Sequence, residues 1–201
     1  MNQSLNPWIT SPATGTETEA SAMEPRRPPA ATITGPLRGM VEPDAADRLG
    51  HRPVTGTATV WVAGVHGGAG ESRLAGILDG ARPTEHAWPV PNRDQDQDHG
   101  RPAVVLVCRS DMRGLKAAQS ALIQWASGAA PDVELLGLAV LADAPGKLPK
   151  ALREFAVLVG GGAPRLWLLP WVESWRLGDT GAGPPAREYQ RFATDLAALT
   201  N

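Results

Sequence analysis

With 201 residues and a formal charge of −2 from 19 basic and 21 acidic side chains, the chain has room for one ordinary domain plus a sizeable tail and lacks the charge excess of a nucleic-acid-binding surface. Its single cysteine, Cys108, excludes an intramolecular disulfide and a cysteine-cluster zinc site, and fits a reducing cytoplasm. No stretch reaches the 18 or so apolar residues of a membrane span, and the opening MNQSLNPWITSPATG lacks a charged segment followed by an apolar one, so no secretory signal is expected.

Residues 1–53 are rich in Pro, Ala, Thr, Ser and Gly and show no sustained period of 2 or 3.6. Such a composition buries too little apolar surface to offset chain entropy, so a disordered tail is expected there, with Trp8-Ile9 and the stretch Leu37 to Val41 as short apolar islands. The folded domain is expected over 54–201. It opens with Thr57 to Gly64, a β-branched, apolar run that reads as a strand buried on both faces of a parallel sheet. Val65 to Gly70 then forms a glycine-rich turn, and Glu71 to about Asp79 a helix with Leu74, Ile77 and Leu78 on its apolar face, stopped by Gly80.

The next stretch, about 81–102, holds four prolines and the run Asp94 to His99, and reads as a flexible surface loop. Its aspartates and His99 are read as solvated rather than as a metal site, because a mobile run does not fix ligand geometry. AVVLVC, Ala103 to Cys108, is a second buried strand. Ser110 and Asp111 are plausible N-caps for a helix reaching about Ala126, with Leu115, Ala118, Leu122 and Trp125 on one face. A third strand, Glu134 to Ala142, leads through Asp143 to Gly146 into a helix over Leu148 to Val159. A fourth strand, Arg165 to Leu169, and a closing helix, Pro185 to Leu199, complete the pattern. Strand and helix alternate throughout, which predicts the α/β class: a mostly parallel sheet flanked by helices.

The first turn carries the functional question. Strand, glycine loop and helix in this order suit phosphate binding, since glycines let backbone N–H groups crowd an anion while the helix N-terminus adds partial positive charge. The residues His66-Gly67-Gly68-Ala69-Gly70-Glu71-Ser72-Arg73 resemble the deviant Walker A, K-G-G-x-G-K-[ST]-[ST], of the MinD/ParA family of P-loop ATPases. Three glycines and the first hydroxyl are kept; both lysines and the second hydroxyl are not. AVVLVCRSDMRGLKAAQSALIQWA resembles that family's late strand and helix, and LWLLPW its last strand. The chain is also similar to a group of degenerate actinobacterial members, some encoded near conjugation or secretion genes.

The resemblance implies a nucleotide cradle at Gly67, Gly68, Ala69, Gly70, Glu71, Ser72 and Arg73, with Ser72 on Mg²⁺ if MgATP binds and Asp143 reading the base. The departures argue against catalysis. A lysine about 4 Å from a phosphate charge gains roughly 4 kcal/mol at an effective dielectric of 20, and a glutamate there is repelled by a similar amount. Arg73 does not replace the lysine, because residues i and i+2 of a helix point apart. The stretch 81–102 is too short and polar to hold both a switch segment and a Walker B strand. If Ala103 to Val107 is that strand, Cys108 sits at the carboxylate position and Asp111 three residues beyond it.

Glu71 is therefore expected to occupy amides that a phosphate would otherwise take, so that the loop fills its own anion site. Ser72, His66 and Asp143 are not read as a hydrolase triad, since no G-x-S-x-G elbow is present. Trp167, Trp171 and Trp175 are expected as core or rim packing, or as a protein interface where exposed. The reading is a non-hydrolysing, cytoplasmic scaffold or regulator with no catalytic residues and no resident cofactor or metal, working through a protein partner or as a homodimer. An unusual ATP-binding switch or weak ATPase is the alternative. A small-molecule enzyme would instead require a pocket beyond the C-terminal ends of the strands.

Overall fold

The computed structural model describes residues 34–92, 100–178 and 186–200. Most of the expected tail, the Trp8-Ile9 island and the acidic run lie outside them. A 3₁₀ turn, Ala45–Asp47, leads into β1 (Gly50–Val54), β2 (Trp61–Gly64), α1 (Glu71–Ala75), β3 (Arg82–Pro83), β4 (Ala87–Pro91), β5 (Ala103–Arg109), α2 (Met112–Ser127), β6 (Glu134–Leu141), α3 (Lys150–Gly160), β7 (Leu166–Leu169), α4 (Glu173–Arg176) and α5 (Arg187–Thr200). The fold is α/β. Five strands form a parallel sheet in the order β3-β2-β5-β6-β7, and β1 pairs with β4 in a second, two-stranded parallel sheet.

The central strand β5 explains the two-layer core. Val104 to Cys108 are fully buried, and because successive side chains alternate faces, Val104, Leu106 and Cys108 join one cluster while Val105 and Val107 join the other. The first cluster packs against Leu115, Ala118 and Leu122 of α2 and Ala156 and Val159 of α3. The second packs against Leu74 of α1 and Tyr189, Phe192 and Leu196 of α5. Burying a side chain such as Leu115 or Phe192 contributes about 1.5–3 kcal/mol, so each helix is held mainly by its apolar stripe.

Four local differences from the sequence reading have physical causes. First, β2 begins at Trp61, because Thr59 closes the end of the α1 connection instead: its N–H donates to Gly80 O at 3.0 Å and its hydroxyl to Asp79 O at 2.7 Å. Second, α1 is only five residues long. Beyond Ala75 the chain tightens into i→i−3 bonds, Ile77 N to Leu74 O and Leu78 N to Ala75 O.

Third, the boundary drawn at residue 53 falls inside β1, and the loop expected at 81–102 contains β3 and β4. Pro89 and Pro91, two of the prolines that argued for a loop, together with Pro53 of β1, belong to a two-stranded sheet in which both strands are edges, where a missing N–H is tolerated. Trp88 of β4 is completely buried. Fourth, that small sheet is latched by Gln124 of α2, itself buried. The Gln124 side-chain oxygen accepts from Leu49 N at 2.9 Å and Trp88 Nε1 at 3.1 Å, and its amide donates to Leu49 O at 3.1 Å.

Candidate functional site

The strand order places a switch point between β2 and β5. The connection from β2 passes through α1 to β3 on one face, whereas that from β5 passes through α2 to β6 on the other. Ligand crevices of open α/β sheets form where adjacent strands diverge in this way, outside their C-terminal ends. The 65–70 turn sits on that edge, with Val65 N donating to Val107 O at 2.9 Å.

Glu71, the residue in place of the lysine, is buried and turned away from the turn's tip. Its Oε2 accepts from Gly64 N at 2.7 Å and from His86 N at 3.3 Å, while Oε1 lies 3.2 Å from His86 Nδ1. These are not the amides of Gly67 to Gly70. The expectation that Glu71 fills the loop's own anion site is corrected accordingly: the carboxylate joins the end of β2 to the β3–β4 connection. Gly64 is required for this, because a Cβ there would lie 2.7 Å from Glu71 Oε2. Gly67, Gly68 and Ser72 are exposed, Ala69 is buried, and Ala69 N donates to His66 O at 3.2 Å. Gly70 adopts φ +99° immediately before α1, a conformation that favours glycine.

A belt of hydrogen bonds runs across three strand ends. His66 Nε2 accepts from Arg109 N at 3.0 Å, which puts the ring proton on Nδ1, 2.9 Å from Gly67 O. Both ring nitrogens are thereby engaged. Gly114 allows this approach, since a Cβ on it would lie 2.9 Å from His66 Nε2. The Arg109 guanidinium donates from Nε to Gly68 O and from Nη1 to Ala142 O, each at 3.1 Å, fastening the turn to the end of β6. Sequence reasoning passed over Arg109 and His86. The available signal for Arg109 was its position at the C-terminal end of the second buried strand.

Asp143 lies on the same edge but two strands from β2, and its Oδ1 accepts from Ser110 Oγ at 2.5 Å while Ser110 Oγ accepts from Asp143 N at 3.1 Å. Ser110 therefore ties two turns together, and Asp111 alone caps α2, accepting from Gly114 N at 2.7 Å. Cys108 is fully buried in the α2-side cluster, and burial pushes its thiol up to about 12. Among the described residues no group of three or more His, Cys, Asp or Glu side chains is placed to hold a metal ion.

Beside the belt, on the α2 side, lies a cavity of about 910 Å³ whose walls include His66, His86, Arg113, Lys116 and the 46–50 segment. A pocket beyond the strand ends is thus present. A family model matches residues 58–191, about two thirds of the chain. The chain belongs to that family, a family of unknown function (DUF6668). The matched span runs from just before β2 into α5 and so contains the turn, the belt and both faces of the sheet, while β1 lies outside it. Neither the curated proteins nor the solved structures gave a match. No helix of the described residues is long and apolar enough to cross a membrane.

Proposed function

We propose that this chain is a non-hydrolysing relative of the MinD/ParA P-loop ATPases that works as a protein-binding scaffold or regulator in the cytoplasm, through a partner or a second copy. The association with conjugation or secretion belongs to the same proposal. One observation carries it: the residue that stands where the motif has its lysine, Glu71, is a buried carboxylate committed to Gly64 N at 2.7 Å and turned away from the 67–70 turn. Two others support it. Cys108 is a buried, protonated thiol where a Mg²⁺-supporting carboxylate would be needed, and Asp111 spends its side chain capping α2.

The test is calorimetric titration of the full chain with MgATP and MgADP. The expected result is no saturable heat at micromolar concentrations, and micromolar binding by the unmodified chain sinks the scaffold reading. The cavity of about 910 Å³ beside His66 and His86 favours a second reading, an unusual nucleotide-binding switch. In that case binding is present and is lost when Lys116→Glu reverses a charge on the cavity wall.

A further inference from the structure

The two edges of the five-stranded sheet differ. At one end β3 is two residues long, Arg82 and Pro83, both exposed, and shortness, charge and proline are what keep a sheet edge from pairing with another chain. At the other end β7 reads Leu166-Trp167-Leu168-Leu169 and carries neither a charge nor a proline. Leu168 on this strand is 44% exposed, and Val157 of α3 is 56% exposed.

The register fixes which backbone groups face outward. Leu138 N donates to Arg165 O at 2.8 Å and Ala142 N to Leu169 O at 2.9 Å. With a period of two, residues 165, 167 and 169 turn their peptide groups to β6, and the N–H and C=O of Leu166 and Leu168 point away from it. A helix flanks each face of the strand. On one face α3 runs back over β7: Gly160 packs on Leu166, where a Cβ would lie 2.5 Å from Leu166 Cδ2, and Arg153 shares with Leu168 the wall of a cavity of about 340 Å³. Val157 lies between Arg153 and Gly160 on the same flank of α3, level with Trp167. On the other face Trp167 Nε1 donates to Asp195 Oδ2 at 3.0 Å, and its ring meets Phe192 edge-on, centroids 5.1 Å apart. Arg191, four residues before Asp195, is exposed on the same flank of α5.

We infer that the β7 edge is a docking surface for a second copy of this chain, the two β7 strands pairing antiparallel about a two-fold axis at Trp167. The strand is self-complementary in that register. Leu166 of one protomer lies opposite Leu168 of its partner, and because both turn their peptide groups outward, each such pair exchanges both backbone hydrogen bonds. Trp167 meets its own equivalent in the closer, non-hydrogen-bonded pair. Two-fold symmetry repeats every contact. On the α3 face it sets Val157 against Val157. On the α5 face it sets Arg191 of each protomer against Asp195 of the other, an exchange centred on residue 193, between the Phe192 and Asp195 on which Trp167 rests. An apolar centre flanked by opposite charges that match under rotation selects a second copy over an unrelated extended segment. The inference rests on the scaffold reading, for which it names the surface taken by a second copy.

Sedimentation velocity of the full chain over roughly 1–100 μM is expected to show a monomer–dimer equilibrium. Leu168→Lys places cations beside the axis and Arg191→Asp sets like charges against each other, and each is expected to raise the dissociation constant at least tenfold. Arg191→Asp combined with Asp195→Arg exchanges the two charges and is expected to recover the dimer. Leu168 and Arg191 are exposed, so the single variants are expected to keep the parent far-ultraviolet dichroism. A dimer that neither single variant weakens overturns the inference and assigns the second copy to another face. Failure of the exchanged pair to recover the dimer overturns the two-fold pairing at Trp167. A monomer throughout the range overturns the inference while leaving a different protein as the scaffold's partner, whereas the scaffold reading itself falls only to micromolar binding of MgATP or MgADP.

Discussion

Replacing Glu71 by alanine tests the central structural claim, that this side chain is an internal tie rather than a loop anion. The substitution removes the 2.7 Å bond to Gly64 N, the weaker 3.3 Å bond to His86 N and the 3.2 Å contact with the His86 ring. Gly64 lies in a fully buried strand, and leaving its N–H unpaired costs about 1–3 kcal/mol. The His86 ring is 42% exposed, so its share is screened and is set at no more than about 1 kcal/mol. Relief of the carboxylate's own desolvation offsets part of the sum. The net is a loss of roughly 1–3 kcal/mol, equivalent to a fall of about 2–12 °C in Tm for a chain of this size. Glutamine keeps an acceptor for Gly64 N and loses about 1 kcal/mol, whereas lysine places a cation against two N–H donors and loses roughly 3–5 kcal/mol. Urea unfolding of the three variants reads these differences directly. An alanine variant within about 0.5 kcal/mol of the parent refutes the tie, and a lysine variant that gains stability refutes the buried geometry altogether.

Gln124→Leu strands the Leu49 N–H and C=O and the Trp88 indole N–H together, so a loss of about 3 kcal/mol is expected, with hydrogen exchange quickening at residues 49–54 and 87–91 before the main sheet opens. Asp111→Ala removes the α2 cap and costs about 1 kcal/mol, read by chemical denaturation. Cys108 has a folded pKa raised to about 12 from an ordinary 9.0, so above pH 9 the unfolded chain sheds a proton that the native chain keeps. Its contribution is fully present below pH 9 and declines towards pH 12, at up to about 1.4 kcal/mol per unit. Unfolding free energies measured either side of pH 9 should fall with pH in the parent, and less steeply in Cys108→Ala.

The sheet was legible because its strands are wrapped on both faces. Runs such as AVVLVC and ELLGLAVL have one reading in an α/β chain, and the stripes of α2, α3 and α5 follow from Leu115, Leu122, Val159 and Phe192 at helical spacing. What escaped was held by long-range polar bonds that leave no periodic trace. Nothing in AWPVP announces that Trp88 is buried, because its burial depends on a glutamine 36 residues away. The short α1 likewise depends on Thr59 closing over Asp79 and Gly80 from the opposite end of β2. At the turn itself the departure of Glu71 from a lysine was readable, but the direction of its carboxylate was not, since the partners Gly64 and His86 are fixed only by the fold.

Those partners give the substitution a positive role. Glu85 and His86 are the two non-glycine residues with positive φ among the described residues, at +52° and +60°, a conformation that costs an L-residue roughly 1–2 kcal/mol. Glu71 holds His86 by both its backbone N–H and its ring, and Glu85 is held in turn by an ion pair with Arg52 of β1. The carboxylate that stands in place of the motif's lysine thus stabilises a strained connection and, through it, the seat of the β1–β4 sheet. A lysine at position 71 would therefore have to accommodate two things at once, a buried cation at the end of β2 and the release of the 85–86 bend, so completing the motif is not expected by itself to create a nucleotide site. Binding gained in Glu71→Lys only when the 85–86 connection is also altered, for example by His86→Gly, is the pattern this coupling requires; full binding in the single lysine variant would show that the turn and the connection are independent.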